Sequence, residues 1–249
     1  MRKQTLLITA VFILLMASGC ASSLTTRGPS TEITVGDILL QDNFSSNRGW
    51  ESRTADWAYM NIVNESYRMW LTRNVYIYGL YQETYSDTII QADALLLTDN
   101  PKTLYGLRCR ANGPNNANGY YFLLSADGAF SIRYGANNAI DPLVEWQNHN
   151  AIHTDGRVNT IKAICSSDYL ALYVNDTFVA DARDSRYGTG YIGFALGQPQ
   201  ATPSITRQMS LSTIYGCGKP INAKSRGHAP AFVSSADWLT LRNDEFLPQ

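Results

Sequence analysis

The sequence predicts an all-β protein, built as an antiparallel sandwich of two sheets. Three observations lead to this prediction. Short runs rich in β-branched and aromatic residues follow one another, Gly, Asn, Asp and Pro separate them, and no segment from Ile38 to Tyr215 has the periodicity of an amphipathic helix. The chain has 249 residues, a length that suits one large β domain or two small ones and is ample for a substantial core.

Each predicted strand is a run of this kind bounded by turn residues. In chain order the runs are residues 38–43, 57–63, 66–71, 76–82, 88–97, 104–110, 120–125, 129–134, 159–165, 169–174, 177–182, 190–196 and 206–215. Two tight hairpins are predicted, at Asp127-Gly128 and at Asn175-Asp176, because these residues tolerate positive φ. Residues 110–119 contain Gly-Pro-Asn-Asn and are predicted to form a solvated loop.

The N-terminus has the pattern of an export signal. Arg2 and Lys3 precede an apolar run over residues 6–16, and small residues follow it up to Cys20. The run is shorter than the about twenty residues that span a bilayer, so a cleaved signal over residues 1–19 is predicted.

The end of this signal resembles the lipobox of bacterial lipoproteins, with Ala17 where that pattern usually has Leu. The resemblance implies that lipid attaches to Cys20 and that the folded domain is anchored to the bacterial cell envelope, outside the cytoplasm. The alternative is an ordinary secretory signal with an incidental cysteine.

Composition outlines the rest of the chain. Residues 20–35 are rich in Ser and Thr and predict a flexible tether, and residues 36–215 hold the predicted sandwich domain. Residues 216–249 predict an irregular tail, in which Ser234 or Ser235 could cap a short docked helix. The formal net charge is −1, so the chain lacks the excess of positive charge that binding to nucleic acid requires. Nucleic acid is therefore excluded as a partner.

Three cysteines remain after Cys20. Cys109 and Cys165 lie in predicted strands, and strand alternation can turn both thiols into the same core, where export would allow a disulfide to persist. The alternative is two buried, reduced thiols. Cys217 is then unpaired, and no pair of cysteines has the CxxC spacing of a structural zinc site.

Several short phrases occur in a characteristic order between residues 39 and 215. They are Asp42-Asn43-Phe44, Gly49-Trp50, Tyr105-Gly106-Leu107-Arg108-Cys109-Arg110, Gly119-Tyr120-Tyr121-Phe122, Leu172-Tyr173-Val174-Asn175 and Gly190-Tyr191-Ile192-Gly193-Phe194. In this order they resemble the concanavalin-like jelly-roll domain shared by 3-keto-disaccharide hydrolases and many uncharacterised bacterial lipoproteins. The resemblance implies a jelly-roll sandwich with a concave face that relatives use for sugars.

The resemblance also implies two site residues. The family's arginine at the end of a "GLxxR" strand falls on Arg110, and alternation places Arg110 on the outer face of its sheet if Cys109 faces the core. Where enzyme-like members have a carboxylate on the next strand, this chain has Tyr121. The loss of an acidic group there weakens any transfer of catalysis, because cleavage of a glycoside needs a proton shuttle, whereas a tyrosine can bind a sugar without cutting it.

Three further aromatic residues are candidate ligand contacts. Tyr76 and Tyr78 are two apart in a predicted strand, so they share one face and could form a platform for a pyranose ring. Trp146 lies between Glu145 and a polar segment and is a candidate for an exposed stacking residue. The alternative for all three is that they fill the core or a sheet surface.

Motifs of catalysis are missing from the sequence. It has no paired carboxylates at strand spacing, no Gly-x-Ser-x-Gly, no phosphate-binding loop and no dinucleotide fingerprint. His149 and His153 are four apart but fall in a predicted loop, so no metal site is assigned. No cofactor is expected, although a structural calcium ion held by loop oxygens is compatible with such a sandwich.

The function expected from sequence is that of a lipid-anchored module that binds a carbohydrate or envelope glycan without catalysis. Two alternatives remain open. One is a 3-keto-glycoside-cleaving enzyme that uses Arg110 with a divalent metal, and the other is a structural or protein-binding envelope module.

Overall fold

The computed structural model describes residues 28–31, 38–98, 100–197 and 207–218, the last range for its backbone only. These residues form an all-β sandwich of antiparallel strands without a helix, as predicted. The strands are β1 (Ile38–Asp42), β2 (Arg53–Ala55), β3 (Ala58–Val63), β4 (Ser66–Leu71), β5 (Tyr76–Tyr85), β6 (Thr88–Leu96), β7 (Leu104–Ala111), β8 (Gly119–Ser125), β9 (Ala129–Ala136), β10 (Ala139–Asn148), β11 (Asn159–Ser166), β12 (Tyr169–Val174), β13 (Thr177–Arg183), β14 (Gly190–Gly197) and β15 (Arg207–Gly218).

Two sheets make up the sandwich. One has nine strands in the order β13-β12-β11-β6-β15-β4-β3-β2, with β1 also paired to β15, and the other has six in the order β10-β9-β8-β7-β14-β5. Strands that are distant in sequence are neighbours in both sheets, and every strand pair is antiparallel. This is the predicted jelly-roll architecture.

A disulfide links the two sheets through the core. Cys109 on β7 and Cys165 on β11 are both fully buried and are bonded to each other, which confirms the predicted bridge. Their neighbours at alternate positions, such as Leu107 and Ala163, are also fully buried in the core. The register of β7 relative to the opposite sheet is therefore fixed covalently as well as by packing.

An aromatic block around Trp50 fills one end of the core. Its ring lies 5.0 Å from that of Phe194 and 5.1 Å from that of Tyr81, centre to centre. The buried Asp42 carboxylate accepts hydrogen bonds from the indole Nε1 of Trp50 at 2.9 Å and from the backbone N–H of Phe44 at 2.8 Å. These contacts give a physical role to the phrases Asp42-Asn43-Phe44 and Gly49-Trp50, because they close the first loop onto the core.

The sequence prediction missed two strands, and both lie at sheet edges. β2 has only three residues, too few to show alternation. β10 contains Pro142, and a proline within a segment argues against a strand because it has no backbone N–H to donate. An edge strand tolerates proline, since one of its sides has no partner strand and needs no donor. The predicted hairpin turns are present, with positive φ at Gly128, Asn175 and Asp176.

The short described segment Gly28–Thr31 contacts the edge strand β13. The backbone N–H of Ser30 donates to Asp181, and the guanidinium of Arg183 donates to Thr31, each at 2.8 Å. Cys20, residues 1–27 and the tail after Gly218 lie outside the described residues, as does the side chain of Cys217. Within the described part, no helix is long and apolar enough to cross a membrane.

The Cys109–Cys165 disulfide is expected to contribute strongly to stability. It joins residues 56 apart in sequence, and the chain-entropy model gives about 4 kcal/mol for a loop of this size. Replacing both cysteines by alanine should lower the free energy of unfolding by roughly this amount, measured by urea denaturation against the oxidised parent. A double variant as stable as the parent would show that the bridge does not constrain the unfolded chain.

Candidate functional site

The six-stranded sheet has an inner face in the core and an outer face turned away from it. On β8, Phe122 and Leu124 belong to the core, whereas the alternating residues Tyr121 and Leu123 form a separate apolar cluster on the outer face. On β7, alternation in the same way turns Arg108 to the outer face, between Leu107 and Cys109. The outer face is therefore the surface of this sheet on which side chains are available for tasks other than packing the sandwich.

Four aromatic side chains come together on this face and are named here the outer-face aromatic cluster: Tyr76, Tyr78, Tyr121 and Trp146. The rings of Tyr76 and Tyr78 are nearly parallel, with 12° between their planes and 6.4 Å between centres. Tyr121 lies across them, 6.4 Å from Tyr76 and 5.9 Å from Tyr78. Residues from β5, β8 and β10 thus meet on one surface.

A pocket of about 250 Å³ opens beside this cluster. It is lined by Tyr76, Trp146, Ile140, Arg133 and Asn138. Part of its lining comes from the hairpin turn between β9 and β10, which contains Asn138. Asn138 has a φ of 64°, a value that asparagine tolerates well. The pocket therefore combines two aromatic rings with one cation and one amide.

Small residues on β14 make this arrangement possible. Ala195 is part of the apolar cluster beneath the tyrosines, and Gly197 lies directly under Tyr76. A Cβ atom at Gly197 would come within 2.4 Å of the Tyr76 ring, closer than any real contact. The ring of Tyr76 can lie flat on the sheet because this position has no side chain.

Arg108 lies under the aromatic cluster and is fully buried. Its guanidinium carbon is 3.9 Å from the ring centre of Tyr78 and 4.5 Å from that of Tyr121, so the cation is held between two π faces. Its Nη2 donates to the carbonyl oxygens of Ala117 and Asn118. Its Nε and Nη1 have no hydrogen-bond partner among the described residues, and burial lowers the pKa of this arginine.

Glu51 is the carboxylate that interacts electrostatically with Arg108. Its backbone N–H donates to Leu80 of β5 at 2.9 Å, which sets the segment alongside the sheet. Burial raises the pKa of the Glu51 carboxyl above its usual value, and the nearby charges of Arg53 and Arg108 only partly oppose this. Burial also raises the pKa values of Tyr76 and Tyr121, so both stay neutral phenols and hydrogen-bond donors near neutral pH.

Of the five ligand-binding residues expected from sequence, the structure brings four together: Tyr76, Tyr78, Tyr121 and Trp146 form the outer-face aromatic cluster. The fifth, Arg110, is not on the outer face, and that expectation is corrected here. Arg110 has a φ of 50° and lies in a bulge, where Cys109 and Arg110 together oppose the single residue Ile192. The extra residue breaks the alternation on which the prediction relied.

Arg110 instead forms hydrogen bonds to several turns at one end of the sandwich. Its guanidinium donates to the carbonyl oxygens of Ser86, Ser167 and Tyr187 at 2.7–2.9 Å and to the Asp87 carboxylate at 3.0 Å. Its side chain is only 1% exposed. The donors of Arg110 are thus engaged within the protein, so its role here is to hold the structure together.

Sequence reasoning missed Arg108, Arg133 and Glu51 as residues of this face. Arg108 shares the parity of the expected outer face and could have been found by alternation, but the family pattern drew attention to Arg110. Arg133 lies two residues after Ser131 on β9, which is a predicted strand. Alternation places these two side chains on the same face and could therefore have identified Arg133 as well. Glu51 had none, because it lies outside any predicted strand.

The two histidines among the described residues, His149 and His153, do not form a metal site. The Nδ1 of His149 accepts a hydrogen bond from the backbone N–H of Ala151, and that of His153 lies 2.9 Å from the carbonyl oxygen of Val158. Within the described residues there is no group of three His, Cys, Asp or Glu side chains suited to hold a metal ion.

Known structures share this fold. Carbohydrate-binding module CBM66 from Bacillus subtilis aligns with a TM-score of 0.54 at 18% identity, covering 68% of this chain and 96% of the module. A protein of unknown function with a galectin-like fold, also from Bacillus subtilis, aligns with a TM-score of 0.55 at 15% identity. The alignment covers 74% of this chain and 97% of that protein. Bacillus licheniformis β-glucanase aligns with a TM-score of 0.56 at 10% identity, covering 75% of this chain and 100% of the glucanase. At these identities the likeness shows the jelly-roll fold alone. No family model matches the chain, and no curated protein matches its sequence.

The role of Arg110 can be tested by its removal. Arg110→Ala would remove the cation paired with the Asp87 carboxylate and the side-chain donor to three carbonyl oxygens, and breaking a buried charge pair in this way costs about 3–5 kcal/mol. The expected result is a loss of this size in urea denaturation, whereas Arg157→Ala, at an exposed pair with Asp155, should change little. A stability unchanged by Arg110→Ala would contradict the role assigned to this residue.

Proposed function

We propose that this protein is an exported, lipid-anchored β-sandwich that binds a glycan on its outer face without cleaving it. The observation that carries the proposal is the pocket in which the rings of Tyr76 and Trp146 lie beside the polar groups of Arg133 and Asn138. Anchoring through Cys20 is part of the proposal and rests on the N-terminal sequence pattern alone.

The chemistry of the pocket suits a sugar ring. A pyranose has apolar C–H faces that pack on aromatic rings and hydroxyl groups at its rim that need hydrogen-bond partners. Tyr76 and Trp146 supply the aromatic surface, whereas Asn138 and Arg133 supply donors and an acceptor. At about 250 Å³, the pocket is smaller than the roughly 300–1,000 Å³ of sites for drug-sized ligands, which favours one sugar unit.

Binding without catalysis is favoured by the charges around the pocket. Glycoside hydrolysis generally uses two carboxyl groups about 5–9.5 Å apart. The five side chains that line the pocket include none. Tyr76 stays protonated near neutral pH, so its phenol can donate a hydrogen bond but is a poor general base.

The structural neighbours support the same proposal. One neighbour is named as a carbohydrate-binding module and another as a β-glucanase, and both share the architecture with this chain across most of their own length. The fold is used for many tasks, so this support is an analogy, and the residues of the pocket carry the argument.

Cleavage of a 3-keto-glycoside is the second candidate, and one observation favours it. Burial raises the pKa of the Glu51 carboxyl, on the face that holds Arg108, and this is the direction that favours a general acid. Release of free sugar from a 3-keto-glucoside, abolished by Glu51→Gln, would establish this candidate in place of binding alone.

Glycan binding can be tested on the full-length protein with a glycan array, followed by calorimetry on the glycans that bind. Tyr76→Ala and Trp146→Ala should each weaken binding about tenfold or more, because each removes a ring that contacts the ligand. Tyr59→Ala is the matched control. Tyr59 belongs to a stacked pair with Trp70, 6.0 Å between centres, on the outside of the other sheet.

Equal losses from Tyr59→Ala and Trp146→Ala would place the binding surface elsewhere or reveal a general loss of folding. Silence of the parent protein across a broad panel would overturn the proposed function.

A further inference from the structure

The pocket contains a cation that no acid of the described residues neutralises. Arg133 lines it, and two of its N–H groups donate to the hydroxyl of Ser131 at 3.3 Å and the carbonyl oxygen of Ile140 at 2.9 Å. Both acceptors are neutral, and a guanidinium has five N–H donors, so three are left. None of the ion pairs within the described residues involves Arg133.

Other arginines of the sandwich are paired differently. Arg110, Arg157 and Arg183 each lie within 3.0 Å of an aspartate oxygen. The acids closest in sequence on β10, Asp141 and Glu145, are exposed and do not pair with Arg133. Arg133 differs from these three arginines, because its guanidinium lies in a pocket and has no acidic partner among the described residues.

A second guanidinium adds positive charge to the same face. Arg108 is fully buried under Tyr78 and Tyr121, and its Nε and Nη1 lack partners among the described residues. Glu51 is close enough to interact with it electrostatically, but the two side chains form no ion pair within 4 Å. The aromatic cluster thus lies between two cations, one beneath it and one at its rim.

These two observations point to the charge of the ligand. A neutral sugar stacked on Tyr76 and Trp146 would cover Arg133 and leave its remaining donors facing hydroxyl groups. A sugar that carries a carboxylate would pair with them, and guanidinium and carboxylate form two parallel hydrogen bonds with matched geometry. Such charge-assisted bonds are stronger than bonds to hydroxyl groups, so the acidic sugar is favoured.

We infer that the pocket selects an acidic glycan, with a uronate carboxylate bound by Arg133 and the ring stacked on Tyr76 and Trp146. The inference rests on the proposed glycan-binding function and specifies its ligand class. Arg133 is the specificity-determining residue, whereas the aromatic rings contribute to any sugar that fits. Arg108 contributes through its field and needs no direct contact with the ligand.

The test uses matched pairs of oligosaccharides and the full-length protein. Oligomers of galacturonate, of mannuronate and of glucuronate-containing repeats are compared with the same oligomers after chemical reduction of the carboxyl groups. Calorimetry should show at least one uronate bound about tenfold or more tighter than its reduced partner, and added salt should weaken the uronate alone.

Two variants locate the preference. Arg133→Gln should lower the affinity for the uronate about tenfold and that for the reduced oligomer much less, because glutamine removes the charge but keeps an amide donor, and Arg157→Gln, at an exposed pair, should change neither. Asn138→Asp guards against misfolding of the first variant, because aspartate tolerates the positive φ at that exposed turn. Its added negative charge should weaken uronate binding in the same selective way.

The outcomes distinguish the preference for acidic sugars from glycan binding itself. Equal or tighter binding of the reduced oligomers would overturn the acidic preference and leave glycan binding standing. A preference for uronates that survives both Arg133→Gln and Asn138→Asp would refute the assigned role of Arg133. No binding of any acidic or neutral oligomer would overturn the inference together with the proposed function.

Discussion

The alternation of side chains along β7 is the constraint on which the rest of the structure depends. Cys109 is held in the core by its bond to Cys165 on the opposite sheet, so the preceding residue, Arg108, must face outward. That orientation puts a buried cation under Tyr78 and Tyr121. The same covalent link that stabilises the sandwich therefore also determines the electrostatics of its outer face.

The outer face divides into a sealed centre and an accessible rim. Tyr121 and Leu123 are fully buried although they lie outside the sandwich core, and the Tyr121 hydroxyl donates to the carbonyl oxygen of Ala117 in the loop before β8. Tyr76 and Trp146 remain partly exposed beside the pocket. The buried central residues thus support the partly exposed rings of Tyr76 and Trp146, and these two rings are the ones that can contact a ligand.

Most of the fold could be predicted from the sequence because alternation and turn residues are local signals. The same signals identified the disulfide, since both cysteines fall at core positions of their strands. They failed where a strand has only one neighbour, as at Pro142 in β10, because an edge strand tolerates residues that a central strand excludes.

The candidate site was only partly predictable for a related reason. Tyr76, Tyr78 and Tyr121 could be named as aromatic residues on predicted strands, and Trp146 as an exposed aromatic residue outside them. The structure shows that all four share a surface. Arg110 was misplaced because a bulge shifts side chains by one position and leaves no reliable mark in the sequence. Glu51 reaches the face through a loop, and only the folded chain brings it beside Arg108.

The central claim is that a ligand meets the protein at the rim of the outer face, by stacking on its rings. The most direct measurement is a titration of the ¹⁵N-labelled full-length protein with acidic and neutral oligosaccharides, following the indole N–H signals by NMR. The account predicts that the signal of Trp146 shifts and saturates, whereas those of Trp50 in the core and Trp70 on the other sheet do not move. A saturating shift at Trp70 with Trp146 unaffected, or no shift of Trp146 with any oligosaccharide, would contradict it.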